Sequence, residues 1–117
     1  MDPTRFLPLT PQQFHILLGL VDGACHGYGI ILGVGRRTDG EITLGTGTLY
    51  TALARLADLQ LVADTERADA RRRFYRLTPL GRTVLRAETA RLETLVRHAH
   101  ASGIRGMSAG APEPARS

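Results

Sequence analysis

Lysine is absent from this 117-residue chain, so all 15 of its basic side chains are arginine. Arginine is planar, permanently charged and able to grip a phosphate through two donors at once. Alanine and glycine are also abundant, which makes genomic base composition the plain account of the missing lysine. The positions of the arginines therefore say more than their kind. A single cysteine, Cys25, excludes an internal disulfide. No apolar run approaches the roughly 20 residues of a membrane span, and Met1-Asp2-Pro3-Thr4-Arg5 lacks the layout of a secretory signal. A cytoplasmic, single-domain protein with no membrane partner is expected, able to bury about 65% of its unfolded surface.

Catalytic patterns are missing as well. No nucleophile stands with a base, and no carboxylates are paired. Gly27, Gly29, Gly33 and Gly35 follow no strand signal and do not spell a dinucleotide-binding loop. His98 and His100 lie two apart on a helix and point in different directions, while His15, His26 and Cys25 sit elsewhere, so no metal site is expected. Neither an enzyme nor a cofactor is predicted.

What is present is a local concentration of charge within a net charge of +4. Arg67, Arg71, Arg72, Arg73, Arg76 and Arg82 crowd into one segment, whereas Asp and Glu are spread thinly. Such a patch attracts polyanions. Around it, helix signals recur. Thr10-Pro11-Gln12-Gln13 is a capping-box start, with Phe14, Leu17, Leu18 and Val21 at helical spacing until Asp22-Gly23. A second helix is predicted over residues 28–38, weakened by its glycines at about 0.8–1 kcal/mol each. Glu41-Ile42-Thr43-Leu44 reads as a short strand.

The most informative run is Gly45-Thr46-Gly47-Thr48-Leu49-Tyr50. Thr46 is expected to cap a third helix reaching about Leu59, with Leu49, Leu53, Leu56 and Leu59 on one face. Thr48, Thr51 and Arg55 fall on the other at i, i+3 and i+7. Hydroxyl and guanidinium groups before an apolar anchor suit base edges in a major groove. Residues 61–67 and 72–77 then read as two strands around Ala68-Asp69-Ala70. Alternation puts Arg72, Phe74 and Arg76 on one face and Arg73, Tyr75 and Leu77 on the other, so at least one ring must pack inward. Thr78-Pro79 starts a last helix to residue 101, and the Gly- and Pro-rich residues 102–117 are expected to be disordered. The fold class expected is mainly α with a small β-hairpin (α+β), a winged helix-turn-helix over residues 10–78 followed by a long helix over residues 79–101.

Three stretches carry a family resemblance. His26-Gly27-Tyr28-Gly29-Ile30, then Gly47-Thr48-Leu49-Tyr50-Thr51-Ala52-Leu53-Ala54-Arg55-Leu56, then Arg72-Arg73-Phe74-Tyr75-Arg76-Leu77-Thr78-Pro79-Leu80-Gly81-Arg82 resemble the PadR family of bacterial transcription regulators, in order and spacing, over about residues 10–100. The resemblance implies a winged-helix homodimer that represses a nearby promoter and releases double-stranded DNA when a small-molecule effector binds. Thr46, Thr48, Tyr50, Thr51 and Arg55 would sit at the major groove, with Arg71, Arg72 and Arg73 as wing contacts. Two positions depart from the family pattern. Thr51 stands where proline is usual, and Gln60 where glycine is usual at the end of the recognition helix. A left-handed Gln60 would cost about 1–2 kcal/mol; otherwise the helix ends differently.

The last helix carries Leu85, Thr89, Leu92, Val96 and Ala99 at alternating steps, with Leu95 alongside, a coiled-coil-like seam. It is too long for so small a domain to cover, at roughly 35 Å. A homodimer is expected in which it packs on the partner's first helix, predicting a pseudo-palindromic operator. Geometry places an effector pocket at that interface, lined by Phe6, Phe14, Leu92 and Val96. Two other classes stay open: a winged helix used as a protein-interaction module, and a metal-sensing winged helix of the ArsR type.

Overall fold

A computed structural model describes residues 2–65 and 73–104. A short 3-10 helix at Pro3–Phe6 precedes α1 (Pro11–Leu18), β1 (Cys25–His26), α2 (Gly27–Arg37), α3 (Thr46–Asp58), β2 (Val62–Thr65), β3 (Phe74–Leu77) and α4 (Pro79–Ala101). The strands form one antiparallel sheet in the order β1-β3-β2. This is the expected α+β winged helix, with a two-residue strand added to the hairpin. Arg67, the predicted turn at Ala68-Asp69-Ala70, Arg71, Arg72 and the tail residues 105–117 lie outside the described residues.

Local chemistry sets most element starts. Thr10 Oγ1 accepts from the Gln13 N–H while Gln13 Oε1 accepts from the Thr10 N–H, both at 3.0 Å, closing the capping box of α1. His26 caps α2, its Nδ1 accepting from the Gly29 N–H at 3.0 Å. Thr78 caps α4 by accepting from the Gly81 N–H at 2.8 Å, and its hydroxyl donates to the Gln60 carbonyl at 2.7 Å. That second bond ties the end of α3 to the start of α4.

The structure corrects several local expectations. The residue capping α3 is Gly45, in extended conformation and without a side-chain cap bond; Thr46 is the first helical residue, its side chain exposed. α2 starts at Gly27 and ends at Arg37, one residue earlier at each end than its periodicity implies. Residues 41–44 form no strand. β3 has two edges and both are taken, by β1 through Cys25↔Tyr75 and by β2 through Val62↔Leu77. The Ile42 N–H bonds Thr38 Oγ1 instead, and Leu44 drops into the core. Ser102, Gly103 and Ile104, placed in the disordered tail by composition, close the last turn of α4 with backbone bonds to His98, His100 and Ala99.

Gln60 settles the end of α3. Its φ is 65°, the Leu61 N–H bonds the Leu56 carbonyl and the Gln60 N–H bonds that of Ala57. This is a Schellman ending with glutamine in the left-handed position. Leu61 is fully buried and packs into the core beyond it, which offsets the conformational cost.

The core gathers Ile16, Leu17, Ile30, Leu49, Leu53 and Val84 from all four helices. Gly81 lies against the Leu61 carbonyl oxygen so closely that any Cβ would collide with it. Glu88 of α4 is the buried charge among the described residues, 2% exposed. It accepts from the Leu9 N–H at 3.0 Å and from Arg91 at 2.6 and 3.0 Å. The Arg91 guanidinium, then the Leu9 amide, hold its carboxyl below the usual carboxylate range against the opposing effect of burial.

Candidate nucleic-acid interface

The outward face of α3 follows from its inward one. Leu49, Leu53 and Leu56 are at most 1% exposed, which fixes the helix's rotation. At 3.6 residues per turn the opposite face is centred on Gly47, Thr51, Ala54 and Asp58, all exposed. Thr48 and Arg55 form one flank of it, Thr46 and Tyr50 the other. The first turn carries no acidic side chain, and Asp58 stands at the far end. A polyanion would therefore meet the N-terminal half, the half that places hydroxyls and N–H groups outward.

Tyr50 is half strut, half surface. Its hydroxyl lies against Gly27 at the start of α2, where a Cβ would come within 2.8 Å of the ring carbon. Its ring is tilted 52° to that of Tyr75 in β3, 6.4 Å away, yet 41% of the residue remains exposed. Tyr50 thus packs between α3, α2 and β3 while presenting an edge outward. Tyr75 is the ring that packs inward, and burial pushes its phenol above the usual range.

The arginines of the cluster have different surroundings. Arg73 is exposed but paired with Asp64 at 3.1 Å, and Thr65 hydroxyl to Phe74 carbonyl bonding stiffens the hairpin beside it. Arg76 is exposed on β3. Arg82 is half-buried and turned to the fold: its guanidinium donates to the Val21 carbonyl at 3.0 Å, bracing the loop after α1. Thr10, whose spacing marks it only as a helix cap, and its neighbour Gln12 line a groove with Thr48, Thr51 and Arg55. No local signal could have found that pairing, because the two segments lie far apart in the chain.

On α4, Thr89, Leu92, Leu95 and Val96 are exposed, Ala99 is half-buried, and Leu85 is 5% exposed within the chain's own core. Leu92 and Val96 line a groove of about 480 Å³ with Thr89, Glu93 and Arg97. Phe6 and Phe14 are half-buried against the core and are not among its walls. Among the described residues no three His, Cys, Asp or Glu side chains gather as a metal site, and no helix is long and apolar enough to cross a membrane.

A hydroxyl- and arginine-bearing helix set beside a basic hairpin defines the class as a DNA-binding winged helix-turn-helix. Residues 16–87 match the Transcriptional regulator PadR-like family, and the chain belongs to that family. It is 38% identical over 87 residues to Transcriptional regulator Rv3488 of Mycobacterium tuberculosis, covering 73% of this chain and 78% of that protein. It is also 43% identical over 76 residues, 65% of this chain, to an uncharacterized 37.1 kDa protein in transposon TN4556 of Streptomyces fradiae, of whose length that match spans 21%. Among solved structures, a transcriptional regulator from Clostridium thermocellum superposes with a TM-score of 0.68 at 26% identity, covering 80% of this chain and 90% of that one. Bordetella bronchiseptica BpsR, whose DNA binding is regulated by 6-hydroxynicotinic acid, superposes with a TM-score of 0.61 at 25% identity, covering 79% of this chain and 61% of that one. Family membership makes this chain a DNA-binding transcriptional regulator and not an enzyme.

Proposed function

We propose that the protein is a homodimeric repressor that binds a pseudo-palindromic operator and lets go when a small effector binds. The observation that carries this reading is the uncovered apolar strip of α4, where Leu92, Leu95 and Val96 are 37%, 49% and 53% exposed. A lone soluble chain pays in solvation for such a strip, and a second copy of α4 or α1 covers it. Residues 10–78 then act as the reading head and residues 79–101 as the dimerisation helix, closed by residues 102–104. Val84 and Leu85 knit that helix into the head's core, so the two fold as one unit.

Thr46, Thr48, Tyr50, Thr51 and Arg55 contact the major groove in this reading, and Arg71, Arg72 and Arg73 contact backbone phosphates from the wing. Two-fold symmetry sets the half-sites about one helical turn apart. The dimer closes the Leu92–Val96 groove, bringing Phe6 and Phe14 to complete an effector pocket. The open groove that α4 contributes, about 480 Å³, is in the size range of small-molecule sites, and the regulation of BpsR by 6-hydroxynicotinic acid supports looking for a small ligand. A repressor acting on the chromosome works in the cytoplasm.

The test is a mobility-shift titration with the DNA upstream of its own gene, repeated with aromatic and cationic compounds. A salt-sensitive complex of one dimer per site, weakened by at least one compound, is expected. Capture of a stoichiometric protein partner with no DNA complex at any salt concentration would favour the protein-interaction class instead.

A further inference from the structure

We infer that the first turn of α1 is a second DNA-contacting element, with Gln12 donating to the sugar–phosphate backbone along the groove rim opposite the wing. The inference rests on the reading that α3 enters the major groove. With its side chains a helix is about 10–12 Å across, close to the roughly 12 Å width of the groove. Whatever stands on either flank of α3 therefore meets a rim of the groove.

One flank is the wing, joined to α3 through the Tyr50 and Tyr75 rings 6.4 Å apart. The other flank is α1. Between α1 and α3 runs an open groove of about 560 Å³, walled by Thr10, Gln12 and Gln13 on one side and Thr48, Thr51 and Arg55 on the other. No acidic side chain lines it. Arg55 supplies its positive charge, and hydroxyls and amides supply the rest, the side chains that commonly bond phosphate and sugar oxygens.

Within this wall the three α1 residues have different freedom. Thr10 and Gln13 are committed to each other through the capping box. Gln12 takes no part in that box and is exposed at the second helical position. Its amide is the group on α1 available to reach across the groove rim. Being neutral, it orients the recognition helix rather than drawing the DNA in. The wing and α1 would then grip the two rims while α3 reads between them.

The experiment is fluorescence anisotropy of the full chain with a labelled duplex of its own upstream DNA, across a salt series. Gln12→Glu is expected to bind about tenfold more weakly, through repulsion of a nearby phosphate. Gln12→Arg should bind more tightly, with the slope of log K against log salt steeper by about 0.9. An acid in the first turn of a helix is favourable for the fold, so Gln12→Glu should melt no lower than wild type. Weaker binding then cannot come from unfolding. Ala101→Glu, at the far end of α4, measures the effect of the same charge placed remotely. If wild type binds with a salt slope that Arg55→Ala flattens, yet Gln12→Glu and Gln12→Arg behave like Ala101→Glu and wild type, the inference fails alone. A wild-type chain without salt-dependent binding would sink it together with the reading beneath it.

Discussion

α3 and the second half of α4 are both amphipathic, and they end in opposite states. The leucines of α3 are covered to within 1% of complete burial, and its outward side offers hydroxyls, glycine and arginine. Past Glu88, Leu92, Leu95 and Val96 of α4 stand partly open to solvent, and Leu95 is half exposed. The first helix is finished as a piece of one protomer and asks for a polar, anionic partner. The second is unfinished and asks for an apolar one. In the proposed reading the same periodicity serves two different interfaces, and burial by the rest of the chain decides which is which.

The sharpest way to break the comparison is to make the uncovered strip of α4 polar. Leu95→Glu with Val96→Glu should turn the dimer into a folded monomer by sedimentation, with a melting temperature close to that of wild type at low concentration. Losing the second reading head should weaken operator binding by at least about a hundredfold. A double variant that sediments as wild type would remove α4 from the interface. Truncating the helix is a poorer test, because Val84 and Leu85 belong to the core.

Glu88 marks the boundary between the two regimes. Glu88→Gln should cost about 1–3 kcal/mol of stability, because Arg91 and the Leu9 amide lose a charged acceptor. Its folded-state pKa lies below the unfolded value. Its contribution is therefore present above the unfolded value and lost as pH falls through the folded one. Denaturant melts of wild type and variant should converge as pH drops below about 4; curves that remain parallel would refute the assignment.

On α3, Arg55→Ala should leave the melting temperature unchanged and reduce the salt slope of DNA binding by about 0.9. The smallest effect expected is at the helix end. Gln60→Gly relieves a left-handed glutamine and should raise stability by about 0.5–1 kcal/mol, after allowing for the added freedom of the unfolded chain. A loss instead would mean that the Gln60 side chain contributes more than its backbone costs.

Much of the architecture was readable without coordinates, for a definite reason. Caps bond within three or four residues, and Thr10, Gln13 and Thr78 act as their spacing implies. The leucine stripes of α3 and the length of α4 are likewise local patterns. The missed strand at Cys25–His26 has only two residues, too few for any periodicity, and exists because β3 had an edge to fill. Gly45 and Thr46 can both stand before a first turn, and only the backbone angles separate them.

The sequence alone therefore determined where the four α-helices lie, the apolar face of α1, α3 and α4, and that the pattern is that of the PadR family. Tertiary structure decided what each polar or exposed side chain is for. Arg82 went to the Val21 carbonyl, 61 residues away, and Glu88 to the Leu9 amide, 79 residues away. Tyr50 became a strut because Gly27 left room for its hydroxyl. Leu85 was absorbed by the core while Leu92 was not. Local bonding follows from chemistry along the chain, whereas the role of a charge or an apolar face depends on which distant segment arrives to meet it.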